Sequence, residues 1–206
     1  PRGIAVPVRW ELQTADGGET VDEGVTVAPA DHGHTVHLDV QGLEPDTVYR
    51  YRFAVGDFTS NWGRARTLPA EGTSPEQFVI AQVSCAQYDA ARYAAYRDLA
   101  EQEPDLVLCL GDYLYEHPGG DVRPGVITTI DLADYRYQYA LYRTDPQLRR
   151  AHAVAPWIVT WDDHEVSNNY VSDTPDPESE SPDPAALLER RAAAYRAWWE
   201  NMPVRL

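Results

Sequence analysis

Pro156-Trp157-Ile158-Val159-Thr160, followed by Trp161-Asp162-Asp163-His164-Glu165, is an apolar run that ends abruptly in acids and a histidine. Two earlier stretches share that layout. Phe78-Val79-Ile80-Ala81-Gln82-Val83 ends at Ser84-Cys85, and Leu106-Val107-Leu108-Cys109-Leu110 ends at Gly111-Asp112-Tyr113-Leu114-Tyr115. Short apolar runs bounded by turn residues read as buried strands. Each of these releases a hard or thiolate metal ligand at its carboxyl end, the side on which open α/β sheets bind ligands. One strand ending in Asp is ordinary. Three that release Cys, Asp/Tyr and Asp/His point to a multinuclear metal site.

The segments between these strands read as helices. Ala90 to Gln102 is alanine-rich with aromatic residues at helical spacing, and Pro104 stops it before the next strand. A strand, helix and strand in that order imply a parallel pair. Asp131 to His152 is a second helical region, broken at Thr144-Asp145-Pro146, where Asp145 is a candidate N-cap. Asp173 to Pro184 concentrates Pro, Asp, Glu and Ser and reads as a surface loop. Pro184 to Asn201 is a third helix whose Trp198 and Trp199 need a partner.

Residues 1 to about 68 have a different texture, with apolar and polar residues alternating between turn signals. Thr35 to Val40 and Val48 to Val55 are expected strands. Leu43-x-Pro45-x-Thr47-x-Tyr49 resembles the tyrosine corner of fibronectin type III domains, in which a Tyr hydroxyl bonds back to upstream backbone. Leu68 to Pro75 reads as a linker.

The formal charge is −16 and all 17 basic residues are Arg. Such a field repels polyanions, which argues against nucleic acid or an anionic membrane as the main partner. It equally repels a phosphate ester, unless bound cations reverse the sign locally. No run of about 18 apolar residues could form a transmembrane helix. The chain opens inside strand-like sequence, so its start is expected to be processed or trimmed. Two cysteines make no disulfide framework; a Cys85–Cys109 bridge stays open, although Cys109 reads better as a small core residue.

Several residues carry competing readings. Cys85 is either an inert thiol or a ligand for a transition metal. Asp112 is either a helix cap or a carboxylate shared by two ions. Glu165 is expected to orient His164. Asn168 and Asn169 are better read as caps than as substrate contacts. His117 can line the cleft, and His152 reads as structural. His34 and His37 fall on opposite faces of the expected strand, so they cannot chelate together.

Gly111-Asp112-x-x-Tyr115 followed by Asp163-His164-Glu165 resembles the binuclear metallophosphoesterase blocks. Cys85 stands where those blocks usually have Asp, and Asp163 where Asn is usual. That variant is similar to the PhoD-like alkaline phosphatases, some of which act as phospholipase D. Leu132 to Arg136, Arg143 to Pro146, Arg190 to Tyr195 and Asn201 to Pro203 fit the same pattern, so the resemblance covers nearly the whole chain. It implies hydrolysis of phosphate esters by a metal-activated hydroxide. Cys85, Asp112, Tyr115 and Asp163 would bind ferric iron and calcium, with another divalent metal possible at the second site. His164 would touch the phosphate or protonate the leaving oxygen. The resemblance also implies export, to a secreted, periplasmic or wall-associated location.

The expected architecture is an α+β chain of two domains. Residues 1–69 form a partial fibronectin type III-like β-sandwich, and residues 76–206 form the amino-terminal half of an α/β metallophosphoesterase sandwich. Later histidine ligands are expected outside this chain, which would leave it inactive alone and with apolar sheet surface uncovered. The alternatives are a phospholipase D-type phosphodiesterase on the same cluster, or a non-catalytic surface-binding fragment using Trp10, Phe58 and Trp62.

Overall fold

The computed structural model describes residues 3–179 and 183–205. One sheet is antiparallel and consists of β1 (Val6–Thr14), β2 (Thr20–Ala28), β3 (Val48–Val55), β4 (Phe58–Thr59) and β5 (Gly63–Arg66). Their order is β2-β1-β3-β4, with β5 also paired to β3. Period-two alternation puts Val8 and Leu12 of β1 and Tyr49 of β3 on the buried face. The Tyr49 hydroxyl accepts the Glu44 backbone N–H at 3.0 Å, the bond that the Leu43-to-Tyr49 spacing predicts.

Thr35 to Val40 form no strand, contrary to expectation. The alternation is present, but among the described residues no strand lies beside it to complete a ladder. His34 instead turns left-handed at φ 61°, and the His37 ring stacks on Trp199 with centroids 4.7 Å apart. The opposite-face argument about His34 and His37 therefore lapses. His32 meets the same indole edge-on at 5.3 Å, so two of these histidines serve as packing for Trp199. Trp62 is likewise engaged, with the guanidinium groups of Arg50 and Arg52 each 4.4 Å from its ring.

The second sheet is parallel, in the order β6 (Ile80–Val83), β7 (Leu106–Leu110), β8 (Trp157–Thr160). α1 (Ala94–Gln102) joins β6 to β7. It starts four residues later than the Ala-rich pattern suggests, because side chains tie the preceding loop down. Tyr93 donates to Ala86 O, and Arg123 donates to Tyr88 O and Ala91 O, all at 2.6 Å. α2 (Leu132–Tyr142), α3 (Pro146–Val154) and α4 (Pro184–Asn201) follow. Asp131 closes a capping box with Asp134, while Asp145 and Asp183 cap helices that begin with proline. Each such cap stabilises its helix by about 1 kcal/mol.

One face of the parallel sheet, with Val107, Cys109 and Trp157, packs into a tyrosine-rich core that also includes Leu148, Leu187 and Trp198. On the other face Ile80, Leu110 and Ile158 are exposed. Cys109 is buried in β7, where burial pushes its thiol up to about 11; it forms no disulfide with Cys85. The two sheets are bridged by Arg66, which donates to both Asp46 and Asp105, and by Arg64, which reaches the Pro104 and Val154 carbonyls at 3.1 and 3.3 Å. These contacts lie at the amino ends of β7 and β8, opposite the strand ends that carry the candidate ligands.

Candidate metal centre

The carboxyl ends of the parallel strands are shaped by unusual backbone. Gly111 (φ 99°) and Asp112 (φ 53°) are consecutive left-handed residues after β7, and Cys85 (φ 57°) is a third after β6. A Cβ on Gly111 would lie 2.5 Å from Asp162 Cβ and 2.6 Å from Asp162 N, so only glycine lets the loops after β7 and β8 meet. Ala86 N donates to Asp112 O at 2.8 Å, joining the loop after β6 to the same junction. Non-glycine residues held in this region cost of order 1–3 kcal/mol each and cluster at functional sites.

Glu165 staples the junction. Its carboxylate accepts N–H bonds from Asp112 at 3.1 Å, Tyr113 at 2.6 Å and Asp162 at 2.8 Å. Burial pushes the Glu165 carboxyl up to about 7, against the pull of those three donors. Glu165 therefore holds backbone and does not touch His164, which corrects the role expected for it. His164 Nδ1 is instead 2.7 Å from Oε2 of Glu116, a residue 1% exposed. Glu116 Oε1 accepts the Asn168 N–H at 2.6 Å. Sequence reasoning missed Glu116: directly after Tyr115, it looks like one more loop acid, and only its neighbour His117 hinted at a polar cluster.

Asp112, Asp163 and His164 converge, each offering a donor atom within 4.8 Å of the others. Cys85 and Tyr115 join them through Asp112 Oδ2, at 3.5 Å from the thiol and 3.3 Å from the phenol. The Tyr115 ring also stacks on His164 at 4.1 Å. Every residue named as a candidate ligand thus lies in one cluster. Asp163 Oδ2 accepts the Asn169 N–H at 2.5 Å, so the asparagines contribute backbone donors that fix the ligand loop. His117 lines a cavity of about 190 Å³ beside Glu116, together with Asn168, Asp176, Glu178 and Ser179. His152 is set apart, its ring stacked 4.0 Å from Trp157 and its Nε2 2.9 Å from the Tyr113 hydroxyl.

The electrostatics fit a cation. Asp112 Oδ1 is buried and has no hydrogen-bond partner, a costly state for a carboxylate oxygen. Burial raises the Asp112 pKa, with Asp163 and Asp162 adding to it against His164 and Cys85. Burial and the Asp112 charge likewise raise Tyr115. Burial opposes charge on His164, but the Glu116 hydrogen bond and the fields of Glu116, Asp112 and Asp163 prevail and raise its pKa. A cation among these groups would offset the burial of a charged Asp112 and Tyr115 and would favour the neutral form of His164. The donor set mixes carboxylate oxygen, phenol oxygen and thiol, which suits a hard ion beside a transition metal.

A cluster of acids, a histidine, a tyrosine and a cysteine on parallel strand ends defines an α/β protein with a candidate metal centre. Residues 78–206 match the PhoD-like phosphatase family, and residues 2–69 match the PhoD-like phosphatase N-terminal domain. The chain belongs to the PhoD-like phosphatase family. It is 42% identical over 211 residues to alkaline phosphatase D of Bacillus subtilis (strain 168), a match spanning 98% of this chain and 36% of that protein. A solved structure of PhoD superposes with a TM-score of 0.93 at 42% identity, covering 100% of this chain and 41% of that one. The chain therefore spans little more than a third of the curated relative's length.

Proposed function

We propose that this chain carries one wall of the active site of a metal-dependent phosphate ester hydrolase. The observation that supports it most is the convergence of Asp112, Asp163 and His164 around a buried, unpartnered carboxylate oxygen. Cys85 and Tyr115 would hold ferric iron, Asp112 would be shared, and Asp163 would favour calcium or another divalent ion. Ions held there neutralise phosphoryl charge and make water a competent nucleophile near neutral pH.

The remaining chemistry belongs to the chain's own side chains. An ionised Glu116 can only accept, so the proton between it and His164 sits on Nδ1. That leaves Nε2 as the nitrogen to meet a phosphoryl or leaving-group oxygen. Stacking on Tyr115 fixes the plane of the ring, so His164 needs no reorganisation to act. Glu165 keeps the loops carrying Asp112 and Asp163 in register. Residues 76–206 form the metal-bearing unit on this reading. Residues 1–69 form a fibronectin-like unit, a view supported by the Tyr49–Glu44 bond.

The test is to assay the full-length protein on a phosphomonoester and a phosphodiester, before and after chelation. Turnover should vanish with the metals and return with added iron and calcium. Turnover that is indifferent to chelation contradicts the reading.

A further inference from the structure

We infer that Tyr142 is a positioning residue for the metal centre, its hydroxyl setting the spacing between the Cys85 thiol and the Tyr115 phenol. The inference rests on the reading above, in which those two side chains hold iron. Tyr142 is the last residue of α2 and is fully buried. Its hydroxyl oxygen accepts the Tyr115 N–H at 3.1 Å and the Tyr88 N–H at 3.3 Å, which occupies both lone pairs. Tyr115 is itself a candidate ligand, and Tyr88 lies three residues past Cys85. One helix oxygen therefore holds the loop after β6 and the loop after β7 together.

The loop after β6 needs such a hold. Cys85 sits in the left-handed region at φ 57°, a state that persists only where its surroundings over-determine it. The near end of the loop is fixed by the Cys85 N–H on Gly111 O at 3.4 Å and the Ala86 N–H on Asp112 O at 2.8 Å. Tyr142 fixes the far end. The thiol and the phenol meet at Asp112 Oδ2, 3.5 and 3.3 Å away, so movement of either loop separates them. Metal–ligand distances tolerate only about 0.2 Å, which makes a small loop shift costly for an ion bound by both.

The effect of the hydroxyl can be isolated from that of the ring. The Tyr142 ring packs against the Tyr88 ring at 5.2 Å, and phenylalanine keeps that contact. Asp89 Oδ2 accepts the Gly119 and Gly120 N–H groups at 3.0 Å each, so the two loops stay joined beyond Tyr88 when the hydroxyl is removed. A matched control lies one turn earlier on the same helix. Tyr139 is equally buried, but its hydroxyl has no hydrogen-bond partner among the described residues.

The experiment compares full-length protein with Tyr142→Phe and Tyr139→Phe. Each metal-free protein is titrated with ferric citrate in the presence of calcium, following iron affinity and the phenolate-to-iron absorption band. Hydrogen exchange in peptides covering Tyr88 and Tyr115 is recorded on the metal-free proteins. In Tyr142→Phe the iron Kd should rise about 10- to 100-fold, the band should shift or weaken, and both peptides should exchange faster. Tyr139→Phe should match the unmodified protein in all three. Unchanged exchange in Tyr142→Phe overturns the inference. So does faster exchange with iron affinity and absorption unchanged, since the two bonds would then serve the fold alone. Absence of iron binding by the unmodified protein would contradict the metal-centre reading itself, and exchange would still decide whether the hydroxyl holds the two loops.

Discussion

Glu116 and His164 are 48 positions apart in sequence, yet they share a 2.7 Å hydrogen bond beside the candidate metal ligands. The bond joins the loop after β7 to the loop after β8. It also uses a carboxylate that is almost wholly buried, so the imidazole is held by an acceptor that cannot turn to water. Glu116→Ala should cost roughly 1–3 kcal/mol of stability, because it strands the Asn168 N–H as well as His164. In the full-length protein, kcat should fall by about 10- to 100-fold. Metal content should stay unchanged, since Glu116 is outside the ligand set; metal analysis alongside kinetics checks this, and loss of metal would assign Glu116 a different role.

His152 sets an acid limit on the fold. Burial, with Arg143 adding to it, holds its pKa well below the ordinary histidine value, so the folded state keeps the ring neutral. A depressed folded pKa means this contribution is complete above the unfolded pKa, about 6.5, and declines as pH falls below it. The slope is up to about 1.4 kcal/mol per pH unit for one such group. His152→Gln should be less stable at pH 8, having lost the stack on Trp157, but flatter in its pH dependence between 6.5 and 5. Thermal melts across that window test it, and parallel curves for the two proteins would show that His152 is not the titrating group.

The two cysteines should separate cleanly. Cys109 is enclosed in β7, and Cys109→Ala should cost about 1 kcal/mol with metal content intact. Cys85 is exposed, and its thiol meets only the Asp112 and Tyr115 side chains at the rim of the cluster, so Cys85→Ala should change stability by less than about 0.5 kcal/mol. It should nevertheless lose iron. Retention of full iron stoichiometry would make the thiol a bystander.

Asp163→Asn tests the second ligand. The amide keeps an acceptor for the Asn169 N–H and removes one charge from the cluster. Activity should fall less than for substitutions at Asp112, and metal preference should move away from calcium. Titration with calcium and manganese in parallel measures the shift, and an unchanged preference would contradict the role given to that charge.

The strands and helices that build the site were legible because local rules decide them. β7 spans Leu106–Leu110 and α4 spans Pro184–Asn201, with the bounds expected from an apolar run and from Pro184 and its periodicity. The Asp145 cap and the Tyr49 hydroxyl bond were likewise readable from short spacings. What failed depended on partners distant in sequence. Thr35 to Val40 alternate correctly, but alternation does not tell whether a neighbouring strand exists. Glu165 was the obvious support for His164 because it is adjacent. The fold uses it on the Asp112, Tyr113 and Asp162 amides instead, and brings Glu116 across from another loop.

The central claim is that Asp112 is the carboxylate around which metal is held. Asparagine tolerates the left-handed backbone that Asp112 adopts, so Asp112→Asn removes charge while leaving the turn intact. The decisive measurement is the iron and calcium content of the full-length protein and of this variant, purified identically. The unmodified protein should carry both metals and the variant should be depleted in both. Equal metal content in the two proteins, or no bound metal in the first, would contradict the account.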